Sequence, residues 1–309
     1  MEEKVEFEQV IEKGCGLDVH KENVVATIRG KGIVTQTRSF STYTSSLILL
    51  REWLLHHGIT HVAMESTGIY WKPVYNILGD YFKILLVNAR HVKNVPGRKT
   101  DPNDSKWLAK LLLAGLLQGS FIPNRNIREL RDLVRYKTKL TNQIGSEKNR
   151  VIKVLEDANI KLSSVLSDIF GVTGQKIIKD IIEGDYKAEQ LLYHVHGKVQ
   201  KSREEIKEAI TGNVSGHHRF MLQTIMESIG KIESTIEKLD AQIAKQTADY
   251  GVEIELLDSV PGVDKDGAIG IISEIGTDMG VFPDQKHLAK WAGMCPGNNE
   301  SGGKKKAVG

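Results

Sequence analysis

Residues 14–30, GCGLDVHKENVVATIRG, carry the pattern that decides the fold of the first part of the chain. Apolar and β-branched residues alternate along two short segments, which predicts two strands that meet at the tight polar turn 20–23. A third strand is predicted over 32–40, so the three strands form a meander. Asp18 lies inside the first strand among apolar residues, where an unpaired charge is costly.

Helices and strands alternate after this meander. Serine and threonine residues at 41–46 supply caps for an amphipathic helix through His57, and ITHVAMES follows as a buried strand. YWKPVYNILGDY is a predicted helix, FKILLVNA another buried strand, and Asp101 begins a helix that ends near Leu117. Three antiparallel strands followed by alternating helices and strands is the order of an RNase H-like α/β domain, although other α/β folds share parts of it.

The middle of the chain is helical. Residues 128–157 form a basic helix, and residues 217–250 form a second helix with an apolar seam at alternating spacings of three and four. This seam, a coiled-coil signal, consists of Leu222, Ile225, Ile229, Ile232, Ile236, Leu239 and Ile243. A weaker seam in the first helix carries Lys137 at one core position. The two helices together indicate a long hairpin or a dimerising arm. The pattern at 160–200 is ambiguous.

After Gly251 the chain becomes glycine-rich. The segment LLDSVPGVDKDGAIGIISEIG at 256–276 predicts a helix-hairpin-helix, in which backbone N–H groups at a helix start point toward a phosphate. A simple turn between two helices is the alternative. We therefore expect an RNase H-like domain at 1–120, a helical coiled-coil region at 121–250, and a small, mainly α-helical domain at 251–309.

Composition and charge exclude several classes of protein. No apolar run reaches about 18 residues, so no membrane span is predicted, and the N-terminus lacks the basic start and apolar run of a signal peptide. Cys15 and Cys295 are too few for a zinc knuckle or a disulfide framework, which fits a reducing cytoplasm. Between Phe82 and Lys153, sixteen Lys or Arg stand against five Asp or Glu. Such an excess is typical of nucleic-acid-binding surfaces and also of solvated helices.

Four carboxylates are candidates for a common site. Glu65 ends a buried strand, where α/β sheets usually place function, and Asp101 and Asp104 lie three apart at a helix start, on one face. If the strands of Asp18 and Glu65 are neighbours, all four converge. Clustered carboxylates repel one another unless cations intervene, and their hard oxygen atoms suit Mg²⁺ or Mn²⁺. Each acid also has a simpler explanation. Asp101 and Asp104 could serve only to cap the start of their helix, and Glu65 could serve only in the turn that follows its strand.

Ser301 lies in the sequence Asn-Glu-Ser-Gly-Gly-Lys-Lys-Lys. The two glycines would allow a phosphate to approach the hydroxyl closely, and the three lysines would neutralise its charge. Ser-Gly-Gly-Lys is also ordinary linker composition. From the residues alone, the linker interpretation is the better supported one.

Four stretches together resemble, in order, the DEDD transposases of bacterial insertion sequences. They read GLDVHKENVVATI, AMESTGIYWKPVYNIL, LLVNARHVKNVPGRKTDPNDSKWLAKLL and SVPGV…AIGIISEIG…LAKWAGMCPGNNESGGK, and they reach both ends of the chain. The resemblance implies a RuvC-type RNase H-like domain, a coiled coil and a C-terminal transposase domain. It assigns a metal-binding tetrad to Asp18, Glu65, Asp101 and Asp104, and it makes Ser301 a nucleophile that forms a phosphoserine link to DNA.

The same resemblance implies partners and a location. The partners are donor and target DNA, a structured noncoding RNA (the bridge RNA) that pairs with both, and further copies of the chain in a dimer or tetramer. The expected location is the bacterial cytoplasm, at the nucleoid. The family usually continues past Ser-Gly-Gly with a basic helical stretch, so the C-terminal domain is expected to be truncated at Gly309.

Basic residues near the predicted catalytic motifs are expected to contact nucleic acid. They are Arg90, Lys93, Arg98, Lys99, Lys304 and Lys305. Two other functions fit the same sequence. A Holliday-junction endonuclease would use the acidic tetrad to hydrolyse DNA with water and would need no serine, and a non-catalytic scaffold would bind DNA through the hairpin and the coiled coil.

Overall fold

A computed structural model divides the chain into two compact units, Met1–Ile122 and Pro123–Gly309. The structure describes residues 10–65, 68–88, 104–184, 187–195, 201–294, 300–301 and 304–305. Within these ranges, no helix is both long enough and apolar enough to cross a lipid bilayer.

The first unit is built on a five-stranded mixed sheet with the order β3-β2-β1-β4-β5. The first three strands are antiparallel, whereas β4 pairs in parallel with β1 and with β5. The elements are β1 (Lys13–Val19), β2 (Asn23–Gly30), β3 (Ile33–Ser41), α1 (Thr44–His56), β4 (His61–Glu65), α2 (Trp71–Leu78), β5 (Lys83–Val87) and α3 (Asp104–Leu113). This mixed α/β sheet fits the RNase H-like domain that the sequence predicts.

One face of the sheet carries the hydrophobic core of this unit. Cys15, Leu17 and Val19 alternate along β1 and pack, with equivalent residues of β2 and β4, against the buried sides of α1 and α2. Burial raises the pKa of the Cys15 thiol, and a backbone hydrogen bond opposes this only partly. Cys15 is therefore a protonated core residue rather than a reactive thiol.

Helix α3 covers the opposite face, and glycines in β1 make room for it. A Cβ atom at Gly16 would lie 2.2 Å from the carbonyl oxygen of Ser105, and one at Gly14 would lie 2.9 Å from Leu112 Cδ2. The helix ends at Leu113, four residues earlier than the sequence pattern predicts. Gly115, at φ +69°, ends it because the left-handed conformation lets the following N–H bond back to the last helical turn.

The second unit is α-helical apart from a two-stranded ribbon near its end. Its elements are α4 (Arg125–Asp157), α5 (Leu162–Val165), α6 (Val172–Glu183), α7 (Ala188–Leu191), α8 (Arg203–Ile210), α9 (Gly216–Gln246), α10 (Gly251–Asp258), α11 (Lys265–Ile275), α12 (Gln285–Trp291), β6 (Glu300–Ser301) and β7 (Lys304–Lys305). The segment that the sequence left ambiguous contains α5, α6 and α7. These short helices cannot bury their apolar sides alone, so they pack together with α8 around the paired ends of α4 and α9.

The two long helices α4 and α9 pack against each other within the chain and run antiparallel. Val151 near the end of α4 shares a cluster with Leu222 near the start of α9, whereas Ile127 at the start of α4 clusters with Ile243 near the end of α9. The predicted seam is therefore buried at both of its ends. Its middle, near Ile236, is only half-buried. The two long helices thus form an antiparallel pair within the chain, while a coiled coil between chains stays a prediction.

Helices α10 and α11 pack on the first turns of α4. Gly262, in the turn between them, has φ +88°, a conformation that favours glycine. The carboxylate of Asp264 caps α11 by accepting the N–H of Gly267 at 2.7 Å. This carboxylate occupies the position where a helix-hairpin-helix would present N–H groups to phosphate, so the predicted phosphate contact is in competition with the chain's own cap.

Candidate active site

Asp18 and Glu65 lie next to each other at the same end of the sheet. The parallel register pairs Gly16 with Ala63 and Leu17 with Met64, so the next step brings Asp18 beside Glu65. Neighbouring strands are about 4.8 Å apart, and residues in register point to the same face. That face is the one α3 covers, because Asp18 alternates with Leu17, which points into the hydrophobic core.

Helix α3 brings a third predicted acid to this end of the sheet. Leu112 of α3 lies over Gly14, and Ser105 lies over Gly16, so the helix runs antiparallel to β1. Asp104, the residue before Ser105, is therefore on the Asp18 side of Gly16. The start of the helix is fixed there because the buried Ser105 hydroxyl hydrogen-bonds Thr27 Oγ1 at 2.8 Å.

The full tetrad is not assembled within the part of the chain that the structure describes. Asp101 lies outside the described residues, so its predicted position stays a prediction. Among the described residues, no three Asp, Glu, His or Cys side chains form a group that could hold a metal ion. The structure thus places Asp18 and Glu65 at neighbouring positions, with α3 over the same face of the sheet. The described residues by themselves do not make up a complete set of metal ligands.

Sequence reasoning missed a direct contact of Asp18. Its Oδ2 atom lies 3.1 Å from Nε2 of His20, which follows it by two residues in the turn between β1 and β2. The sequence indicates only a polar turn there. It also missed the role of Gly14 and Gly16, although their signal was visible, since they occupy alternate positions on the Asp18 face of the strand.

The predicted nucleic-acid contacts lie mostly outside the described residues. This applies to Arg90, Lys93, Arg98 and Lys99, while Lys304 and Lys305 lie in β7. The described part of the basic stretch includes ion pairs that hold the second unit together. Arg131 and Arg135 on α4 bind Glu274 on α11, and Lys137 binds Asp240 on α9 and Asp266 on α11. Part of the positive charge of α4 is therefore already neutralised by the protein.

Ser301 lies in the ribbon of the second unit. Strands β6 and β7 are antiparallel, and Ser301 pairs with Lys304. Two glycines separate these residues in the sequence, a spacing that suits a tight hairpin connection. This backbone pairing distinguishes the segment from a flexible linker, which has no regular partner.

Two family models match the chain. One, a DEDD transposase model of the IS110 type described as a transposase, matches residues 15–160. The other, described as Transposase IS116/IS110/IS902 family, matches residues 254–309. The chain belongs to the IS110 family of DEDD transposases. A comparison of this transposase with curated proteins finds no match.

Membership makes this transposase a DNA-modifying enzyme of insertion sequences, with DNA as its substrate. Nuclease domains of DEDD transposases generally use divalent metal ions. The first family match contains all four predicted acids, and the second contains Ser301 with its neighbouring lysines. Residues 161–253, which include all of α9, lie outside both of these matches.

Proposed function

We propose that this transposase cuts and rejoins insertion-sequence DNA through four metal-binding carboxylates and a serine that carries the cut strand. The observation that supports this most strongly is the placement of Asp18 and Glu65 at adjacent register positions, with the start of α3 over the same face. Ionised carboxylates that separate elements bring close together repel one another. A site for cations gives that arrangement a purpose.

The residues that would hold a divalent metal ion are Asp18, Glu65, Asp101 and Asp104. Their chemistry fits this role, because Mg²⁺ and Mn²⁺ prefer carboxylate oxygen atoms. A bound ion supplies Lewis-acid stabilisation of the charge that develops on the scissile phosphate. The sheet supplies rigidity: Asp18 and Glu65 are held by the backbone ladder of two central strands, and Asp104 by the anchored first turn of α3.

Ser301 is the proposed nucleophile. Its hydroxyl oxygen bonds to the phosphorus of the DNA backbone and gives its proton to water, while the bond from phosphorus to one deoxyribose oxygen breaks. That deoxyribose oxygen takes up a proton, and the other strand end stays attached to the serine as a phosphodiester. The reverse reaction with a different deoxyribose hydroxyl rejoins DNA without hydrolysis, because the phosphodiester bond energy is retained.

The proposed partners are donor DNA, target DNA, a bridge RNA that pairs with both, and further copies of the chain. The basic residues Arg90, Lys93, Arg98, Lys99, Lys304 and Lys305 would contact phosphates, which position nucleic acid without reading its sequence. Base pairing with the RNA would supply the sequence specificity. Binding of the RNA to the whole protein should therefore weaken steeply with rising salt, because each neutralised phosphate releases counterions.

The acidic site is tested by Asp18→Asn, which removes charge and almost no volume. We expect no cleavage of DNA carrying the ends of the insertion sequence, in the presence of Mg²⁺ and RNA transcribed from the flanking noncoding DNA. RNA binding and thermal stability should be retained. Asp80→Asn is the matched control, because Asp80 is exposed and lies before β5, at the opposite end of that strand from Val87, which pairs with Glu65. Cleavage by Asp18→Asn at the wild-type rate would refute the assignment.

The nucleophile is tested by Ser301→Ala and denaturing electrophoresis of labelled DNA. Attack by a serine leaves DNA attached to protein, whereas attack by water leaves two free ends. We expect the wild-type protein and the control Ser259→Ala to form the covalent adduct, and Ser301→Ala to bind RNA without forming it. An adduct that persists in Ser301→Ala overturns the assignment. Free ends without any adduct in the wild type would favour the hydrolytic junction nuclease instead.

A further inference from the structure

The side chain of His20 contacts the acidic site directly. Its Nε2 atom lies 3.1 Å from Oδ2 of Asp18, although the imidazole itself remains 58% exposed. Residues two apart in a strand point to the same face, but β1 ends at Val19 and His20 lies beyond it, in the turn, where this periodicity no longer holds. The contact therefore depends on how the chain leaves β1.

The backbone of the turn that carries His20 is held by three hydrogen bonds, two of them between backbone groups and one from a side-chain hydroxyl. The N–H of His20 donates to the carbonyl of Asn23 at 2.9 Å. Thr42, just beyond β3, donates its hydroxyl to the carbonyl of Lys21 at 2.9 Å and its N–H to the carbonyl of Glu22 at 3.1 Å. These bonds fix the backbone of the turn, so the exposed imidazole is held near Asp18 by its main chain rather than by burial.

The direction of the hydrogen bond follows from the chemistry of the pair. An ionised carboxylate only accepts hydrogen bonds, so Nε2 of His20 must carry the hydrogen and donate it to Oδ2. This donation restricts rotation of the carboxylate about its last bond. It also engages one oxygen of Asp18 and leaves Oδ1 available for another partner.

We propose that His20 is a positioning residue that orients the Asp18 carboxylate for a divalent metal ion, an inference that rests on the proposed function of the acidic site. Hydrogen bonds from a neighbouring group commonly fix the orientation of metal-binding carboxylates, and losing them typically costs 10–100-fold in metal affinity or activity. Because His20 is more than half exposed, we expect an effect near the lower end, about tenfold in affinity.

The test is direct binding of Mn²⁺ to the full chain, measured by isothermal titration calorimetry without nucleic acid. His20→Ala should bind Mn²⁺ about tenfold more weakly than the wild type at an unchanged melting temperature. His20→Gln should recover most of the affinity, because its side-chain amide can donate a hydrogen bond in place of Nε2. Lys21→Ala is the matched control, since it changes an exposed side chain of the same turn and leaves the carbonyl that Thr42 binds.

Each outcome decides between the alternatives. Wild-type affinity in His20→Ala overturns the positioning role. Equal weakness in His20→Gln and His20→Ala also overturns it, because the ring would then act by something other than donation to Asp18. Asp18→Asn is titrated alongside, and if it still binds Mn²⁺ with wild-type affinity, the proposed metal site itself fails. Loss of binding in Asp18→Asn with an unaffected His20→Ala refutes only the inference about His20.

Discussion

Replacing Gly16 with alanine tests whether the close contact between β1 and α3 positions the acidic site. The added Cβ would lie 2.2 Å from the carbonyl oxygen of Ser105 and 2.5 Å from the backbone nitrogen of Ala109. Both atoms belong to the helix backbone, so no rotamer change can relieve the clash. The helix must move away from the strand, and Asp104 at its start must move with it.

The size of the effect follows from the geometry. Overpacking a well-packed interface costs about 1–3 kcal/mol, and backbone clashes on this scale belong at the upper end, about 3 kcal/mol. Alanine also lowers the conformational entropy of the unfolded chain, which offsets up to about 1 kcal/mol of this destabilisation. The net destabilisation of about 2 kcal/mol should lower the melting temperature by about 8 °C, at roughly 4 °C per kcal/mol for a unit of this size.

Gly14→Ala provides the comparison, because its Cβ would meet the end of the flexible Leu112 side chain at 2.9 Å, which can rotate away. We expect a shift of less than about 3 °C for Gly14→Ala. Both variants are measured by circular dichroism melting and by DNA cleavage with Mg²⁺ and guide RNA. Gly16→Ala should lose cleavage at temperatures where it is still folded. An unchanged melting temperature and cleavage rate in Gly16→Ala, or equal damage in both variants, would show that this contact does not position the site.

Two further predictions concern the second unit. Burial by itself lowers the pKa of Lys137, but hydrogen bonds to its two aspartate partners outweigh it and raise the pKa above its usual value. Because the folded pKa is the higher one, the stabilisation of about 1 kcal/mol is present at neutral pH and is lost as pH rises through that value. Urea unfolding should therefore separate Lys137→Met from the wild type at pH 8, and the gap should shrink progressively as pH rises through the pKa of Lys137, with Lys139→Met as the control. A gap that does not shrink between pH 8 and pH 11 would contradict this. Ile229 is 4% exposed in the contact between the long helices. Ile229→Asp should therefore lower the free energy of unfolding by about 3–5 kcal/mol, because it buries an uncompensated charge. Ile236 is only half-buried, so Ile236→Asp should lower it clearly less. Equal unfolding midpoints for the two variants would contradict the packing, and sedimentation of the same proteins tests whether the seam also joins chains.

The sequence by itself determined the elements of the first unit and their order. The alternation along residues 14–30 predicted the first two strands, and the buried strands at 59–66 and 82–89 were recognisable from their apolar runs. These features are local, because strand periodicity and turn residues act over a few positions. The motifs around Asp18, Glu65 and Ser301 likewise indicated the family before any fold was known, since a motif is a property of neighbouring residues.

Only the tertiary structure decided which of these local features meet. The sequence left open whether the strands of Asp18 and Glu65 are neighbours, and the parallel register between β1 and β4 places the two residues side by side. The contact between His20 and Asp18 depends on Thr42, which is distant in sequence and reaches the turn only through the meander. Burial of the first part of the seam, from Leu222 to Ile229, involves helices in the segment that the sequence left ambiguous. Periodicity identifies an apolar side of a helix or strand, but its partner is chosen by long-range packing, which local patterns do not encode.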